Sequence, residues 1–159
     1  MDTNVAKTGD EVEQLGVDRR LSGFIGYPMK RALSIVHADF SRTLAEYDLR
    51  AVSFSALTII VGEPGLTQTQ LADSLQIERS NLVTIIDELA GRNLILRAPV
   101  AQDRRRHALM PTTAGKQLAA AAYDRVAEHE RQLFACLSPT ECQELQRILR
   151  KFRKATMPA

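Results

Sequence analysis

A chain of 159 residues, 45% hydrophobic and 25% charged, is long enough for one domain with a substantial core and is balanced like a soluble globular protein. A formal net charge of +2 is too small to specify nucleic acid by itself, and two cysteines, Cys136 and Cys142, make neither a disulfide framework nor a metal site. With no secretory leader and no apolar run long enough to span a bilayer, the expectation is a cytoplasmic protein without cofactor or membrane partner.

The first twenty residues hold five acids (Asp2, Asp10, Glu11, Glu13, Asp18) against three bases and show no period, so a mobile segment is expected over 1–20. From Pro28 a helical stripe begins: Met29, Leu33, Val36 or His37, Phe40, Leu44 and Tyr47, roughly five turns. AVSFSALTIIV (51–61) reads as a second helix, with Ser53 as N-cap and Phe54, Leu57, Ile60 and Val61 at helical spacing. GEPG (62–65) stops it. In LTQTQLADSLQI (66–77), Thr67 is a good N-cap and Leu71 and Leu75 supply a buried side, with Ile77 a further candidate. A break near Gln76 leads into IERSNLVTIIDEL (77–89), whose Leu82, Ile85, Ile86 and Leu89 make one apolar stripe.

Gly91 ends that helix. GRNLILRAPV (91–100) then offers a short strand, AQDRRR (101–106) a charged tip, and HALMPT (107–112) a second strand, together a hairpin. Thr112 or Thr113 can cap a long helix with the stripe Leu118, Ala121 or Ala122, Val126, His129, Leu133 and Leu137. SPTE (138–141) is a capping box with Pro139 at the first helical position. It opens a last helix striped by Cys142, Leu145, Ile148 or Leu149, and Phe152. Basic character is local: three consecutive arginines at 104–106, and Arg147, Arg150, Lys151, Arg153 and Lys154 with no acid among them.

This order is mainly α with a small β-hairpin wing (α+β). A winged helix-turn-helix over 51–110 would be flanked by dimerisation helices at 21–50 and 111–159. The outer helices are too long for the middle section alone to bury, so a homodimer is expected.

The helix over 77–89 has an unusual outer face. A solvated helix favours acids in its first turn, where they oppose the positive end of the macrodipole; this one begins with Arg79, Ser80 and Asn81 and keeps Asp87 and Glu88 for later. In a helix-turn-helix the second helix enters the DNA major groove N-terminus first. Arg79 can then meet a guanine or a phosphate, Asn81 an adenine edge, and Ser80 a phosphate, while Val83 and Thr84 can touch a thymine methyl. A phosphate is welcome at the helix N-terminus itself, and the two acids are carried away from the phosphates. Thr67 and Gln68, at the start of the preceding helix, complete the candidate set there. At the hairpin tip, Asp103 and Arg105 share one side of an extended chain and can pair, leaving Arg104 and Arg106 on the other. A fixed arginine at such a tip suits a narrow minor groove, and His107 is a further phosphate contact. The competing readings are a solvated polar face and a flexible charged loop.

LTQTQLADSLQIERSNLVTIIDELAGRNLILRAPVAQDRRRHALMPTTAG resembles the DNA-binding core of the MarR family of bacterial transcriptional regulators. The match is carried by L-x-x-x-L-x-I-x-R-S, by D-x-R at 103–105 and by T-x-x-G at Thr112 to Gly115; it covers 53–115, and the helix order extends it to about 21–155. The resemblance implies a winged-helix homodimer that binds an inverted-repeat operator on double-stranded DNA as a repressor and releases it on binding a small aromatic acid. It makes Asp103 and Arg105 the wing pair and places Ser80, Asn81, Val83 and Thr84 towards the groove. Many members carry Arg or Lys where this chain has Thr84, so operator preference does not carry over. ERSNLVTIIDEL and DRRRHAL look most like members that sense aromatic acids as coenzyme A thioesters, such as hydroxycinnamoyl-CoA.

The family's effector pocket lies between the dimerisation helices and the winged domain, where Tyr27, Arg31, His37 and Arg50 are the polar candidates. Surface packing explains Tyr27 and Arg31 equally well, His37 reads as a buried or interfacial histidine before a ligand contact, and His129 reads as interface. Two alternatives remain: a thiol-based redox sensor using Cys136 or Cys142, although family sensors place the reactive cysteine near the first helix, and a dimeric protein-interaction module that does not read DNA. No enzyme motif is present: no G-x-S-x-G, H-E-x-x-H or P-loop, and three scattered histidines (His37, His107, His129).

Overall fold

The computed structural model describes Leu21, residues 23–100 and residues 103–156; for residues 100, 103–107 and 156 the description is of the backbone. The segment 1–20, expected to be mobile, lies outside these residues. The described elements run α1 (Gly26–Ala45), α2 (Ala51–Gly62), β1 (Leu66–Thr67), α3 (Gln68–Leu75), α4 (Arg79–Gly91), β2 (Ile95–Val100), β3 (Asp103–Pro111), α5 (Thr113–Leu133) and α6 (Pro139–Thr156). The described residues up to Ala38 and those from Asp39 onward form separate units; the boundary falls within α1.

Helix α2 is the hub of the second unit. Ser53, Phe54, Ala56, Leu57 and Ile60 are buried along it, and α3, α4, α5 and β3 all pack against it. Ser53, expected as its N-cap, lies inside the helix; Arg50 takes the cap position with an extended backbone and no side-chain cap bond. The reason is long-range: the buried Ser53 hydroxyl turns to Glu88 of α4, a partner that no local pattern reveals.

The pair α3–α4 forms as its caps dictate. The Thr67 hydroxyl accepts from the Gln70 backbone N–H at 3.3 Å while the Gln70 side-chain oxygen accepts from the Thr67 N–H at 2.9 Å, a complete capping box. Gln76 ends α3 in the left-handed region at φ 54°, ψ 43°, which turns the chain sharply enough for α4 to cross α3. Leu82, Ile85, Ile86 and Leu89 of α4 are buried, each contributing roughly 1.5–3 kcal/mol relative to exposure.

The sheet has three antiparallel strands in the order β1-β3-β2. β1 pairs Leu66 with Leu109 and Thr67 with Ala108; at two residues it is too short to show an alternation, and the sequence gives no sign of it. β3 begins at Asp103, so Arg104–Arg106 lie within a strand rather than on a loop tip. They fall at a register irregularity, where Pro99 faces His107 but Val100 faces Asp103.

The T-x-x-G pattern has a structural cause. Thr112 caps α5, its hydroxyl accepting from the Gly115 N–H at 2.9 Å and donating to the Asn93 carbonyl at 2.8 Å. A Cβ on Gly115 would stand 2.0 Å from the Leu94 carbonyl oxygen, so only glycine lets α5 start against the base of β2. At α6, Ser138 and Glu141 close the expected capping box, the Ser138 N–H donating to the Glu141 carboxylate at 2.8 Å and the Glu141 N–H to the Ser138 hydroxyl at 3.3 Å. The Ser138 N–H and then the Ser138 hydroxyl, which donates to the same carboxylate at 2.8 Å, hold the Glu141 carboxyl below its ordinary range.

Gly115→Ala should cost about 1–3 kcal/mol by forcing backbone apart, read as a lower Tm in thermal unfolding. The Glu141 shift has a definite sign. With its folded value depressed, its contribution is present above the ordinary carboxylate range and is lost as pH falls through the folded value. The first turn of α6 should therefore loosen on acidification; Glu141→Gln should remove that step from an amide-exchange profile followed against pH, and Ser138→Ala, which keeps the backbone donor, should only shrink it.

Candidate nucleic-acid interface

The outer face of α4 is as the sequence suggests. Arg79, Ser80, Asn81, Val83 and Thr84 are all exposed, opposite the buried stripe. Glu78 occupies the N-cap position without a side-chain cap bond, and no acid stands in the first turn. Its carbonyl accepts from the N–H groups of Asn81 and Leu82, each at 3.1 Å. The helix start therefore presents side-chain donors and an uncapped positive end on the same surface, a setting that favours a phosphate or a base edge.

The two late acids are both occupied. Asp87 is ion-paired with Arg97 of β2, and Glu88 with Arg50, just before α2. Ser53 also donates to Glu88, at 3.2 and 3.4 Å to its two oxygens. Sequence reasoning placed these acids away from phosphates but missed their partners, since neither pair has a local spacing. At the far end of α4, Arg92 donates to the Tyr47 carbonyl at 3.1 Å. Helix α4 is thus tied to the wing, to α2 and to the α1–α2 turn.

Thr67 and Gln68 are half-buried, and the Thr67 hydroxyl is committed to Gln70, to which it also donates at 2.8 Å. The backbone of Asp103, Arg104, Arg105, Arg106 and His107 lies in β3, while the expected Asp103–Arg105 pairing concerns side chains outside those described.

A second feature lies away from α4. A cavity of about 900 Å³ is bordered by Phe40, Phe54, Tyr123, Val126, Phe134, Leu145 and Leu149 among others, with Glu130 and Arg131 as its charged members. The Phe40 and Phe54 rings meet edge to face, centroids 5.7 Å apart at 77°. Cys142 borders the same cavity and is half-buried, while Cys136 is exposed. Of the polar effector candidates, Arg50 is engaged with Glu88 and does not border this cavity. Tyr27 (half-buried) and Arg31 and His37 (both exposed) stand in the unit that ends at Ala38. His129 is half-buried against Asp39, Nδ1 to Oδ2 3.7 Å.

Among the described residues no cluster of His, Cys, Asp or Glu could hold a metal ion, and no helix is long and apolar enough to cross a membrane. Residues 49–107 match the MarR family model. A solved transcriptional repressor, CouR, bound to a 23-mer DNA duplex is 36% identical, with a TM-score of 0.81 over 87% of this chain and 96% of that one. The chain belongs to the MarR family. It is a winged helix-turn-helix DNA-binding transcriptional regulator. A putative transcriptional regulatory protein for the hcr operon of Thauera aromatica is 28% identical over 132 residues, 82% of this chain and 80% of its own. CouR from Rhodococcus jostii RHA1, solved bound to p-coumaroyl-CoA, shares the fold at 24% identity and TM-score 0.75, over 87% of this chain and 98% of that one. The relatives described are transcriptional regulators rather than enzymes.

Removing Arg97 would leave the exposed Asp87 carboxylate unpaired on α4. As an exposed pair it is worth at most about 1 kcal/mol to folding. Arg97→Ala should therefore leave Tm nearly unchanged and weaken duplex binding in an anisotropy titration, and Asp87→Asn in the same chain should restore most of the loss.

Proposed function

We propose that this MarR-family regulator acts as a homodimeric repressor. It would bind an inverted-repeat operator through Arg79, Ser80, Asn81, Val83 and Thr84 of α4, with Thr67 and Gln68 beside them. The wing residues Asp103, Arg104, Arg105, Arg106 and His107 would take the flanking groove. One observation carries the reading: the first turn of α4 offers exposed donors and an uncapped N-terminus while both acids of the helix are neutralised from behind by Arg50 and Arg97. The kinship with a repressor bound to duplex DNA supports it.

The dimer reading rests on apolar surface left uncovered in one chain. Among the described side chains of α6 none is buried, and Leu145, Ile148, Leu149 and Phe152 are 38–56% exposed along it. Phe24, Ile25 and Leu33 are 62–81% exposed in or beside α1. A second copy meeting these helices would cover both sets and assign 21–50 and 111–159 to dimerisation, leaving 51–110 as the DNA-binding region. The half-site spacing then follows from the two-fold axis.

The effector reading rests on the cavity. Its volume suits a small organic ligand, and Phe40, Phe54, Tyr123 and Phe134 give it an aromatic lining. An aromatic acid, or its coenzyme A thioester as in the Rhodococcus jostii fold relative, has the matching chemistry. Tyr27, Arg31, His37 and Arg50 are the polar groups expected for the acid or thioester end, but Arg50 is engaged with Glu88 and the charged groups that border the cavity are Glu130 and Arg131.

Selection of bound duplexes from a random pool should enrich an inverted repeat with half-sites about 34 Å apart, one helical turn. Asn81→Ala should then cost about 1–3 kcal/mol on the selected duplex and relax preference at one base pair per half-site. Enrichment of no motif, with binding that vanishes at moderate salt, would leave only non-specific electrostatics.

A further inference from the structure

The contacts that hold α4 in place lead back to the cavity through a single turn of α2. Arg50 and Ser53 meet the Glu88 carboxylate on one side of that turn. Phe54, the next residue, borders the cavity and packs edge to face on Phe40. We infer that Glu88 is a positioning residue that couples the cavity to the recognition helix; the inference rests on the effector reading above and names its route.

Ser53 is fully buried, so its hydroxyl depends on an acceptor brought by α4. The first turn of α2 has no acid of its own and no side-chain cap, and Glu88 supplies from a neighbouring helix the negative charge that this turn favours. A ligand that shifts the Phe54 backbone also moves Ser53, its neighbour in the first turn, and pulls on Arg50, whose carbonyl at the cap accepts from the Phe54 N–H at 2.9 Å; packed cores shift between discrete arrangements rather than deform continuously. Glu88 is half-buried and its carboxylate takes Arg50 and Ser53 together; loss of either contact frees the middle of α4 to tilt. Asp87, by contrast, ties α4 to the wing through Arg97 and has no such link to the cavity.

Duplex affinity of wild type and Glu88→Gln is measured by fluorescence anisotropy with and without p-coumaroyl-CoA as the probe, beside calorimetric titration of the probe alone. Glu88→Gln should bind the probe within about twofold of wild type, while the probe-driven fall in duplex affinity shrinks by about fivefold or more. A fall equal to that of wild type overturns the inference and leaves the effector reading intact. If Glu88→Gln fails to fold, Ser53→Ala, which keeps the Arg50 pair, takes its place in the comparison. If wild type does not bind the probe, that effector reading fails, and a double-mutant cycle of Phe54→Leu with Glu88→Gln on duplex affinity decides the link alone. Departure from additivity by more than about twofold supports it, and additivity overturns it.

Discussion

Helix α4 can devote its outer face to another molecule because its inner face is committed to α2, α3 and β2. Leu82, Ile86 and Leu89 are 0–1% exposed, and so are Leu57 and Ile60 of α2. Interiors packed this tightly leave a helix little freedom to roll. The position of Arg79, Ser80 and Asn81 is therefore set by apolar packing a full helix diameter away. The polar residues themselves need no mutual contact to be held in place.

Apolar packing fixes the roll of α4 but not its tilt, and the tilt is set by polar ties at three points. Arg97 reaches Asp87 from the wing, Arg50 and Ser53 reach Glu88 from α2, and Arg92 reaches back to the turn after α1. The first two ties also remove two negative charges from the electrostatic field that a phosphate backbone would meet. Geometry and charge are thus adjusted by the same residues, which is why a chain of net charge +2 can still present a local surface suited to DNA.

Much of this was legible in the sequence because it depends on short spacings. Thr67 as an N-cap, a break near Gln76, the stripe of α4, a cap at Thr112 or Thr113 and the SPTE start of α6 are each decided within a few residues; the structure has Thr67, a left-handed Gln76, the stripe, Thr112 and the SPTE box in those places. What was missed depends on distant partners. Ser53 looked like a cap because serine after an exposed stretch often is one; its true partner is 35 residues away. Strand β1 exists only because β3 lies beside it, and the arginines of 104–106 were assigned to a tip because the register of a hairpin is not written in charge. Gly115 was recognised as part of a motif, but the close approach of the Leu94 carbonyl that requires it is a tertiary fact.

The most direct measurement is an amide chemical-shift titration of the labelled protein with a duplex selected from a random pool. If α4 enters the groove, the largest changes should fall at residues 79–84 and along the β2–β3 hairpin, with smaller ones at 67–68. Changes concentrated on α6, with residues 79–84 unmoved, would contradict it and place the DNA against the basic end of the last helix.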